Sequence, residues 1–406
     1  MKTVTLKPFL SCLIGIVCLK TLAVEPSVSQ VTVRQRWPWS RLVDIDYVLN
    51  ADPDTAYDIQ VQAFNGAQHL EIPANAFSGH LYNVSEGARR IVFDPVKTAY
   101  TNSEIMTQFK VSLTPSEIPL YMIVDLEKNA GDAGQIEYIY PGDARLITDG
   151  RFTNVWFDVT NDAVYATQKL VLRRITSGNY GMGETCSLPV TLTKDLYVSI
   201  FMVTSVQWLK VVGSTTSTST LPRTYNLSYE AIRGATNDTP SVNWPSTASF
   251  VNPTSFLGLL RDKTGMYDFD LPTEAQWEYI CRAGTTSYFN DGASTSANDT
   301  NILKRLAWYV GNSGGAGALA VGQKEANQWG IYDTHGNLWE WCRDWFGALQ
   351  ENSIDPTGPL TGSRRVLRGG GWCSSAESCR SASRNGNYAP SATGTEFGFR
   401  LVRELP

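Results

Sequence analysis

The stretch NQWGIYDTHGNLWEW at residues 327–341 decides the fold of the C-terminal part of this chain. We interpret Trp339 and Trp341 of this stretch, together with Trp345 and Trp372 after it, as core aromatics of a loop-rich domain, because large rigid side chains can fill a core that has few regular elements. His335, the only histidine after residue 168, is interpreted as a hydrogen-bonded turn residue. Four shorter segments surround this stretch in the sequence: LPTEAQWEY with CRAG at 271–284, RGGGW at 368–372, CRSASR at 379–384 and FGFRL at 397–401.

Capping residues predict three helices in this part of the chain. In the segments TSVQ (204–207) and TEAQ (273–276), threonine precedes glutamine by three residues, so each side chain can bond a free amide of the first turn. Glycines at 213 and 284 are expected to end these helices. A third helix is expected to begin at Thr254 or Ser255 and to run towards Gly265. Long loops rich in Gly, Ser and Asn separate the helices, so the domain needs internal ties such as ions, disulfides or tryptophan packing.

Residues 24–118 read as a separate β domain. Apolar residues alternate with polar ones around 43–49 and 57–63, which is the period of a half-buried strand. The dipeptide Asn65-Gly66 suits a tight hairpin. Strands of this spacing predict a small β-sandwich of the immunoglobulin or fibronectin type. Its histidines have no cysteine or carboxylate pair nearby, so a spacer or adhesion role is expected. Residues 119–167 are interpreted as transitional strands or a linker, with one strand at Tyr121–Asp125.

The first 23 residues have the pattern of a signal peptide. Lys2 and Lys7 precede an apolar stretch, and Thr21-Leu22-Ala23 provides a small-residue cleavage site. The stretch is short for a stable membrane span, although an uncleaved anchor is the alternative. We therefore expect a secreted, periplasmic or cell-surface protein. The net charge of -5, without a long basic run, gives no support to a nucleic-acid partner.

Five cysteines remain after removal of the signal, and an odd number leaves at least one thiol unpaired or paired with another molecule in an oxidising compartment. These cysteines are Cys186, Cys281, Cys342, Cys373 and Cys379.

Taken in order, the C-terminal segments resemble the sulfatase-modifying-factor family, the family of the formylglycine-generating enzymes. The resemblance covers about residues 168–403, and we assign this domain to residues 168–406. It implies an α+β class: a small N-terminal β-sandwich followed by a loop-rich domain with a variant of the C-type lectin fold. The segments LRRITSG (172–178) and VTLT (190–193) resemble the opening strands of that family.

The resemblance also implies a test for catalysis. Enzymes of this family oxidise a sulfatase cysteine to formylglycine with oxygen, and two thiolates hold the Cu(I) that this reaction requires, since sulfur suits that soft ion. The family pair is a Cys-x4-Cys element after a Gly-Gly-Ser turn. Here Gly371 replaces the serine, Cys373 lies near the first thiol and Cys379 follows at x5. The candidate catalytic pair is therefore out of register, and copper is expected only if the oxidase is active.

Two structural sites are implied in the same way. A calcium ion would be held by Asp333 and Glu340 side chains and by the main-chain carbonyls of Gly336 and Leu338, an oxygen-only set that suits Ca²⁺; alternatively, the two carboxylates only cap the turn. The position of Cys281 implies a bridge to the C-terminal strand, with Cys379 as its partner. Such a bridge would leave Cys373 without a copper partner.

Two functions follow as hypotheses. The first is a non-catalytic binding module, whose segment 373–396 has the small polar residues and tyrosine of adaptable contact surfaces and resembles the variable region of diversity-generating retroelement targets. Asn385, Asn387 and Tyr388 are its candidate contacts, for a protein or glycan ligand at the cell surface. The second is an active formylglycine-generating oxidase that acts on exported sulfatases. The family's non-haem iron sulfoxide synthases are disfavoured, because the domain lacks the required histidines.

Overall fold

The computed structural model describes residues 25–36, 40–53, 55–70, 72, 76–98, 108–148, 152–213, 219–234, 251–349 and 353–405. The predicted signal peptide at 1–23 lies outside these residues. The chain forms two units, residues 1–116 and residues 117–406. None of the described helices has the length and apolar character needed to cross a membrane.

The described residues of the first unit form seven strands in two sheets. These are β1 (Ser27–Gln35), β2 (Val43–Asn50), β3 (Asp58–Asn65), β4 (Gln68–Leu70), β5 (Phe77–Gly79), β6 (Gly87–Phe93) and β7 (Phe109–Ser116). The sheets have the orders β1-β2-β6-β5 and β4-β3-β7. If the strands are lettered A to F with β4 as C′, the first sheet is A-B-E-D, the order in constant-type immunoglobulin sandwiches.

One hydrophobic core joins the two sheets of this unit. Ile45 and Ile91 from the first sheet and Ile59 from the second are fully or almost fully buried in it. The predicted hairpin is present between β3 and β4, where Asn65 pairs with Gln68 and Gly66 has a φ of +64°. The β-sandwich prediction is therefore confirmed.

The second unit is built on a six-stranded antiparallel sheet with the order β14-β22-β13-β10-β8-β9. Its strands are β8 (Tyr121–Asp125), β9 (Ile136–Ile139), β10 (Lys169–Ile175), β13 (Leu196–Ser199), β14 (Phe269–Asp270) and β22 (Val402–Glu404). The strand predicted at 121–125 is present. Because β8 pairs with β10 along its whole length and with β9 on its other side, these two strands of the predicted transitional region belong to the sheet of the second unit.

The loop-rich part of this unit also contains smaller sheets. They are formed by β11 (Gly178–Met182), β12 (Leu188–Leu192) and β18 (Ser353–Ile354), by β15 (Ala307–Trp308) and β16 (His335–Gly336), and by β17 (Trp339–Trp345), β19 (Arg365–Arg368), β20 (Arg384–Asn385) and β21 (Phe397–Gly398). The four-stranded sheet, in the order β20-β19-β17-β21, positions the C-terminal segments next to the stretch 327–341.

The predicted capping residues begin the helices at the expected places. The helices are α1 (Val164–Thr167), α2 (Ser205–Val212), α3 (Tyr229–Arg233), α4 (Phe256–Thr264), α5 (Glu274–Arg282) and α6 (Thr300–Leu306). Thr204 and Thr273 both form reciprocal capping boxes with glutamine, and Ser255 caps α4. Helix α5 ends one residue earlier than predicted, because Ala283 already adopts the left-handed conformation at φ +46°.

Candidate functional site

The loop from Asp333 to Glu340, which contains β16 and leads into β17, has a backbone geometry that its sequence requires. Asp333 and Gly336 have φ angles of +55° and +72°. A Cβ at position 336 would lie 2.1 Å from the carbonyl oxygen of Trp308, so the parallel pairing of β15 with β16 leaves room only for glycine. The loop therefore brings Asp333 and Glu340, the two predicted carboxylate ligands of calcium, into the interior.

Glu340 is engaged in a buried ion pair. Its carboxylate accepts hydrogen bonds from Arg400 at 2.6 Å and 2.7 Å and from the indole nitrogen of Trp277 at 2.9 Å. Glu340 and Arg400 are both completely buried. Two bonds from one guanidinium are the geometry in which arginine holds a carboxylate most strongly. Oε1 of Glu340 accepts one of these bonds and Oε2 accepts two, so any calcium ion bound here would share this carboxylate with Arg400.

Asp333 is buried beside this pair. One of its oxygens accepts the amide of Gly322 at 2.7 Å. Burial raises the pKa of Asp333 to about 6, and the charge of Glu340 adds to this effect. The described residues contain no group of three or more histidine, cysteine and carboxylate side chains arranged around a metal. The predicted calcium donors, which include the buried Leu338, are close in sequence, and two of the four are main-chain carbonyls, so the calcium site stays a prediction in which the ion would share Glu340 with Arg400.

The two candidate catalytic thiols lie in different environments. Cys373 is exposed, and its sulfur lies 3.4 Å from Oε2 of Glu396. Partial burial and the Glu396 carboxylate raise the pKa of the Cys373 thiol. Cys379 is fully buried in a cluster with Phe289, Leu303 and Tyr309, and burial raises its pKa to about 12. Cys373 contributes to the rise in the pKa of Cys379, so the two thiols are close enough to interact, although one is exposed and the other lies in a hydrophobic core.

Cys281 and Cys379 are free thiols in the structure, so the predicted disulfide is not formed there. His335 contacts both segments: its ring lies 3.9 Å from the sulfur of Cys281, and its Nδ1 lies 2.7 Å from the carbonyl oxygen of Cys379. The Cys281 thiol instead donates to the carbonyl of Thr334 at 3.6 Å. His335 is a buried hydrogen-bonded residue, as predicted, and burial lowers its pKa to about 4.

The segment 373–396 presents small polar side chains to solvent from a fixed backbone. From 387 to 395 every second residue is exposed: Asn387, Ala389, Ser391, Thr393 and Thr395. The intervening Tyr388 packs on the buried Phe397 at 4.6 Å between ring centroids. Its hydroxyl donates to Glu396 at 3.0 Å. The segment is therefore anchored through alternate residues, while the others remain available for contact.

The three predicted contact residues differ in role. Asn387 is exposed, whereas Tyr388 is half-buried against Phe397. Asn385 uses its side-chain oxygen to accept the amide of Asn387 at 3.0 Å, which shapes the turn between them. Gly386 fits against the ring of Phe346, a half-exposed aromatic residue that sequence reasoning had not selected.

A network of buried ion pairs connects helix α5 to β19 and to β20, and β20 is part of the segment 373–396. Arg368 pairs with Glu278 and Glu274, and Arg384 pairs with Glu274 at 2.7 Å. Arg282 donates to Glu278 at 2.8 Å. Helix α5 thereby holds β19 and β20 through its two glutamates. Sequence reasoning missed these roles, although glutamates within a predicted buried helix and arginines in the C-terminal segments were visible signals.

Comparison with known proteins places this architecture in a family. Residues 159–405 match the family described as the sulfatase-modifying factor enzyme 1-like domain. The chain belongs to this family. The match begins nine residues before the predicted domain start at 168, in agreement with the structural assignment of the preceding residues to the second unit.

Several known proteins are similar to parts of the chain. The formylglycine-generating enzyme of Streptomyces coelicolor is 35% identical over 146 residues, which are 33% of this chain and 46% of that enzyme. The chaperone protein LppX of Paenibacillus barcinonensis is 27% identical over 258 residues, or 53% of this chain and 81% of that protein. The solved structure of Treponema denticola variable protein 1 is 25% identical with a TM-score of 0.44, and the match covers 58% of this chain and 96% of that one. The chain spans less than half of the S. coelicolor enzyme.

Within the sulfatase-modifying-factor domain, the predicted residues form two groups. Asp333, Gly336, Leu338 and Glu340 lie together at the base of the four-stranded sheet. Cys373 and Tyr388 share Glu396 as a partner. The match to the family confirms the α+β, loop-rich fold, and the helices and mixed sheets agree with it.

Proposed function

We propose that this chain is an exported, non-catalytic member of the sulfatase-modifying-factor family whose segment 373–396 binds a protein or glycan ligand at the cell surface. The observation that supports this proposal most directly is the placement of Cys379. Its sulfur is in the core, and a Cβ on Gly370 would lie only 2.6 Å from it. Copper would therefore have to reach a closed, tightly packed position.

The environment of Cys373 also favours binding over oxidation. A Cu(I) dithiolate needs two deprotonated sulfurs, but the carboxylate of Glu396 next to Cys373 disfavours the thiolate. Glu396 instead bridges Cys373 and Tyr388 and so helps to order the segment that carries the exposed residues. The same contacts that oppose the oxidase thus give the binding surface a defined shape.

The exposed residues of the segment suit adaptable contacts. Asn387, Ser391 and Thr393 offer hydroxyl or amide groups that both donate and accept hydrogen bonds, and Tyr388 adds a large aromatic edge with few rotatable bonds. Binding scaffolds place their polar contact residues on a rigid backbone in this way. The predicted N-terminal signal and the β-sandwich in front of the domain support a position outside the cytoplasm.

The oxidase alternative has a direct test. Purified protein is incubated with copper, oxygen and a Cys-x-Pro-x-Arg peptide, with a known formylglycine-generating enzyme as the positive control. We expect no peptide in which the cysteine thiol has been replaced by an aldehyde, a change seen by mass spectrometry as sulfur exchanged for oxygen with the loss of two hydrogens. Conversion that is lost in Cys373→Ser would overturn the non-catalytic proposal.

The binding function is tested with the mature chain on glycan arrays and in pull-down from intact cells. Asn387→Ala and Thr393→Ala should each reduce capture at least several-fold, since both side chains are exposed. Thr185→Ala, at an exposed residue outside the segment, serves as the matched control. Equal capture by all three variants would refute the assignment of the surface to 373–396. A glycan-array signal identifies a glycan ligand, and protease-sensitive capture identifies a protein.

A further inference from the structure

A cavity of about 360 Å³ lies in the second unit, where β10 runs past the beginning of β8. This volume is within the range of small-molecule sites. Arg173 and the residues after it in β10 line one side. Thr153 and Asn154 form a second wall, and Gln328 and Trp329 form a third. None of the predicted site residues lines this cavity.

Arg173 is a buried cation that meets only neutral partners among the described residues. One terminal nitrogen, Nη1, donates to the hydroxyl of Tyr121 at 2.8 Å and to the carbonyl of Asn154 at 2.9 Å. The other, Nη2, donates to the carbonyl of Thr153 at 3.0 Å. Only 8% of the residue is exposed. A buried charge without a counter-ion is costly, so this guanidinium is prepared for an anion.

The geometry of these bonds leaves one edge of Arg173 available. A guanidinium has five N–H donors, and the two carbonyls come from consecutive residues bound to different terminal nitrogens. They therefore occupy the end of the group. The Nε–H and the adjacent Nη2–H form the other edge, which has no hydrogen bond to the described residues. Two parallel N–H groups of this kind match the two oxygens of a carboxylate.

The neighbouring residues do not neutralise this charge. Arg174 is paired with Asp195 at 2.9 Å, so its own charge is compensated. The side chains that line the described cavity include no aspartate or glutamate. Arg173 thus gives the cavity a net positive character that selects an anionic ligand.

The remaining lining indicates what carries the carboxylate. Trp329 provides a flat apolar surface, and its position is fixed by Tyr279, whose ring lies at 4.9 Å between centroids. Tyr279 in turn donates to the carbonyl of Thr176 at 3.1 Å. Gln328 and the threonines offer amide and hydroxyl groups for hydrogen bonds. A purely apolar acid would leave these groups without partners, which costs binding free energy, whereas a hydroxyl-rich ligand satisfies them.

We propose that this cavity binds an acidic sugar, free or at the end of a glycan, through a carboxylate on Arg173 and a ring face on Trp329. The assignment is independent of the segment 373–396, because that segment contributes no residue to the cavity. The two sites can therefore fail or succeed separately.

The test is isothermal titration of the mature chain with glucuronic acid, with glucose and propionate as neutral and non-sugar probes. Glucuronic acid should bind at least tenfold more tightly than either. Arg173→Lys, which keeps the charge but loses the planar edge, should weaken it at least tenfold. Gln328→Glu, at a half-buried position, should weaken it to a similar extent by placing a competing carboxylate beside Arg173. Asn387→Ala should have no effect.

Thermal unfolding of each variant separates loss of the site from loss of the fold. If Arg173→Lys does not fold, Gln328→Glu decides the question alone. Equal binding of glucuronic acid and glucose, equal binding of propionate, or unchanged affinity in the folded variants would each overturn the proposal. An absence of binding at about 10 mM both of glucuronic acid and of a glucuronate-terminated oligosaccharide would overturn it as well. Binding of a glucuronate-terminated oligosaccharide but not of the monosaccharide would support the proposal and assign the natural source to a glycan end.

Discussion

Replacement of Glu340 by glutamine should strongly destabilise the second unit. The change keeps the shape of the side chain but removes the charge that faces Arg400, whose guanidinium is completely buried. It also places an amide NH2 among groups that donate hydrogen bonds, namely Arg400 and Trp277. Loss of one partner of a buried pair costs about 3–5 kcal/mol, which is a large share of a total stability of about 5–15 kcal/mol.

The measurement is urea unfolding followed by tryptophan fluorescence. Ten of the twelve tryptophans follow residue 116 in the sequence, so the signal reports mainly on the second unit. With a slope of about 3 kcal/mol per M urea, a loss of about 4 kcal/mol lowers the midpoint by somewhat more than 1 M. Glu325→Gln is the matched control, because its pair with Arg305 is close to half exposed and should contribute less than about 1 kcal/mol.

Two further measurements show whether the ion pair is the cause. Adding Arg400→Met to Glu340→Gln should recover most of the lost stability, because the Gln/Met pair contains no buried charge. The loss should be the same with excess calcium and with a chelator. If the wild-type midpoint instead rises with calcium and the rise disappears in Glu340→Gln, then Glu340 is a calcium ligand and the reasoning from Arg400 is wrong. A loss below about 1 kcal/mol would also refute it.

Three more predictions concern other buried or constrained groups. Burial raises the pKa of Asp344 to about 7, above its ordinary value of 3.8, so the free energy of unfolding should fall by up to about 4 kcal/mol as pH rises from about 4 to 7. Asp344→Asn should remove that decline when unfolding is measured at several pH values, and an unchanged dependence of the unfolding free energy on pH would contradict the prediction. Iodoacetamide should label Cys373 in the native protein well before Cys379, and Glu396→Gln should accelerate the labelling, as read by peptide mass spectrometry; equal rates would refute the role of Glu396. Gly370→Ala should lower the free energy of unfolding by several kcal/mol, because its φ is +79° and the new methyl group would meet Cys379, whereas Gly213→Ala, at a similar φ in open space, should lower it by only about 1 kcal/mol. Similar losses of thermal stability in the two variants would show that the backbone conformation alone is responsible.

The helix starts and the fold class could be predicted from the sequence because their causes are local. The capping box at Thr273 requires only residues three positions apart, and the alternation in β2 and β3 requires only one buried face. The role of residues 119–167 could not be predicted in this way. Their strand β8 gains its partner, β10, from about 50 residues further along the chain, and no local pattern states which strands will pair.

The site was predicted in part for a similar reason. The order of the segments indicated which residues would gather around 327–341, but not which of them would meet. Glu340 was taken as a calcium ligand, and only the structure shows that Arg400, 60 positions later, binds both of its oxygens. Cys281 was paired with Cys379, whereas in the structure its thiol donates to the carbonyl of Thr334 and lies 3.9 Å from the ring of His335. The sequence did not indicate a functional role for Arg173, because an arginine in a strand is usually at the surface.

The features that define family membership and those that perform the family's chemistry are separable in this chain. Buried ion pairs hold the C-terminal sequence segments together: the glutamates of α5 pair with Arg368, and Glu340 pairs with Arg400. Each such pair becomes costly if one partner is lost, so all of them are needed for folding, whatever the protein does. Cys373, by contrast, is exposed and contributes little to the core. A change in the register of the thiols would therefore leave these buried pairs in place, and the match to the family over residues 159–405 does not by itself establish the oxidase.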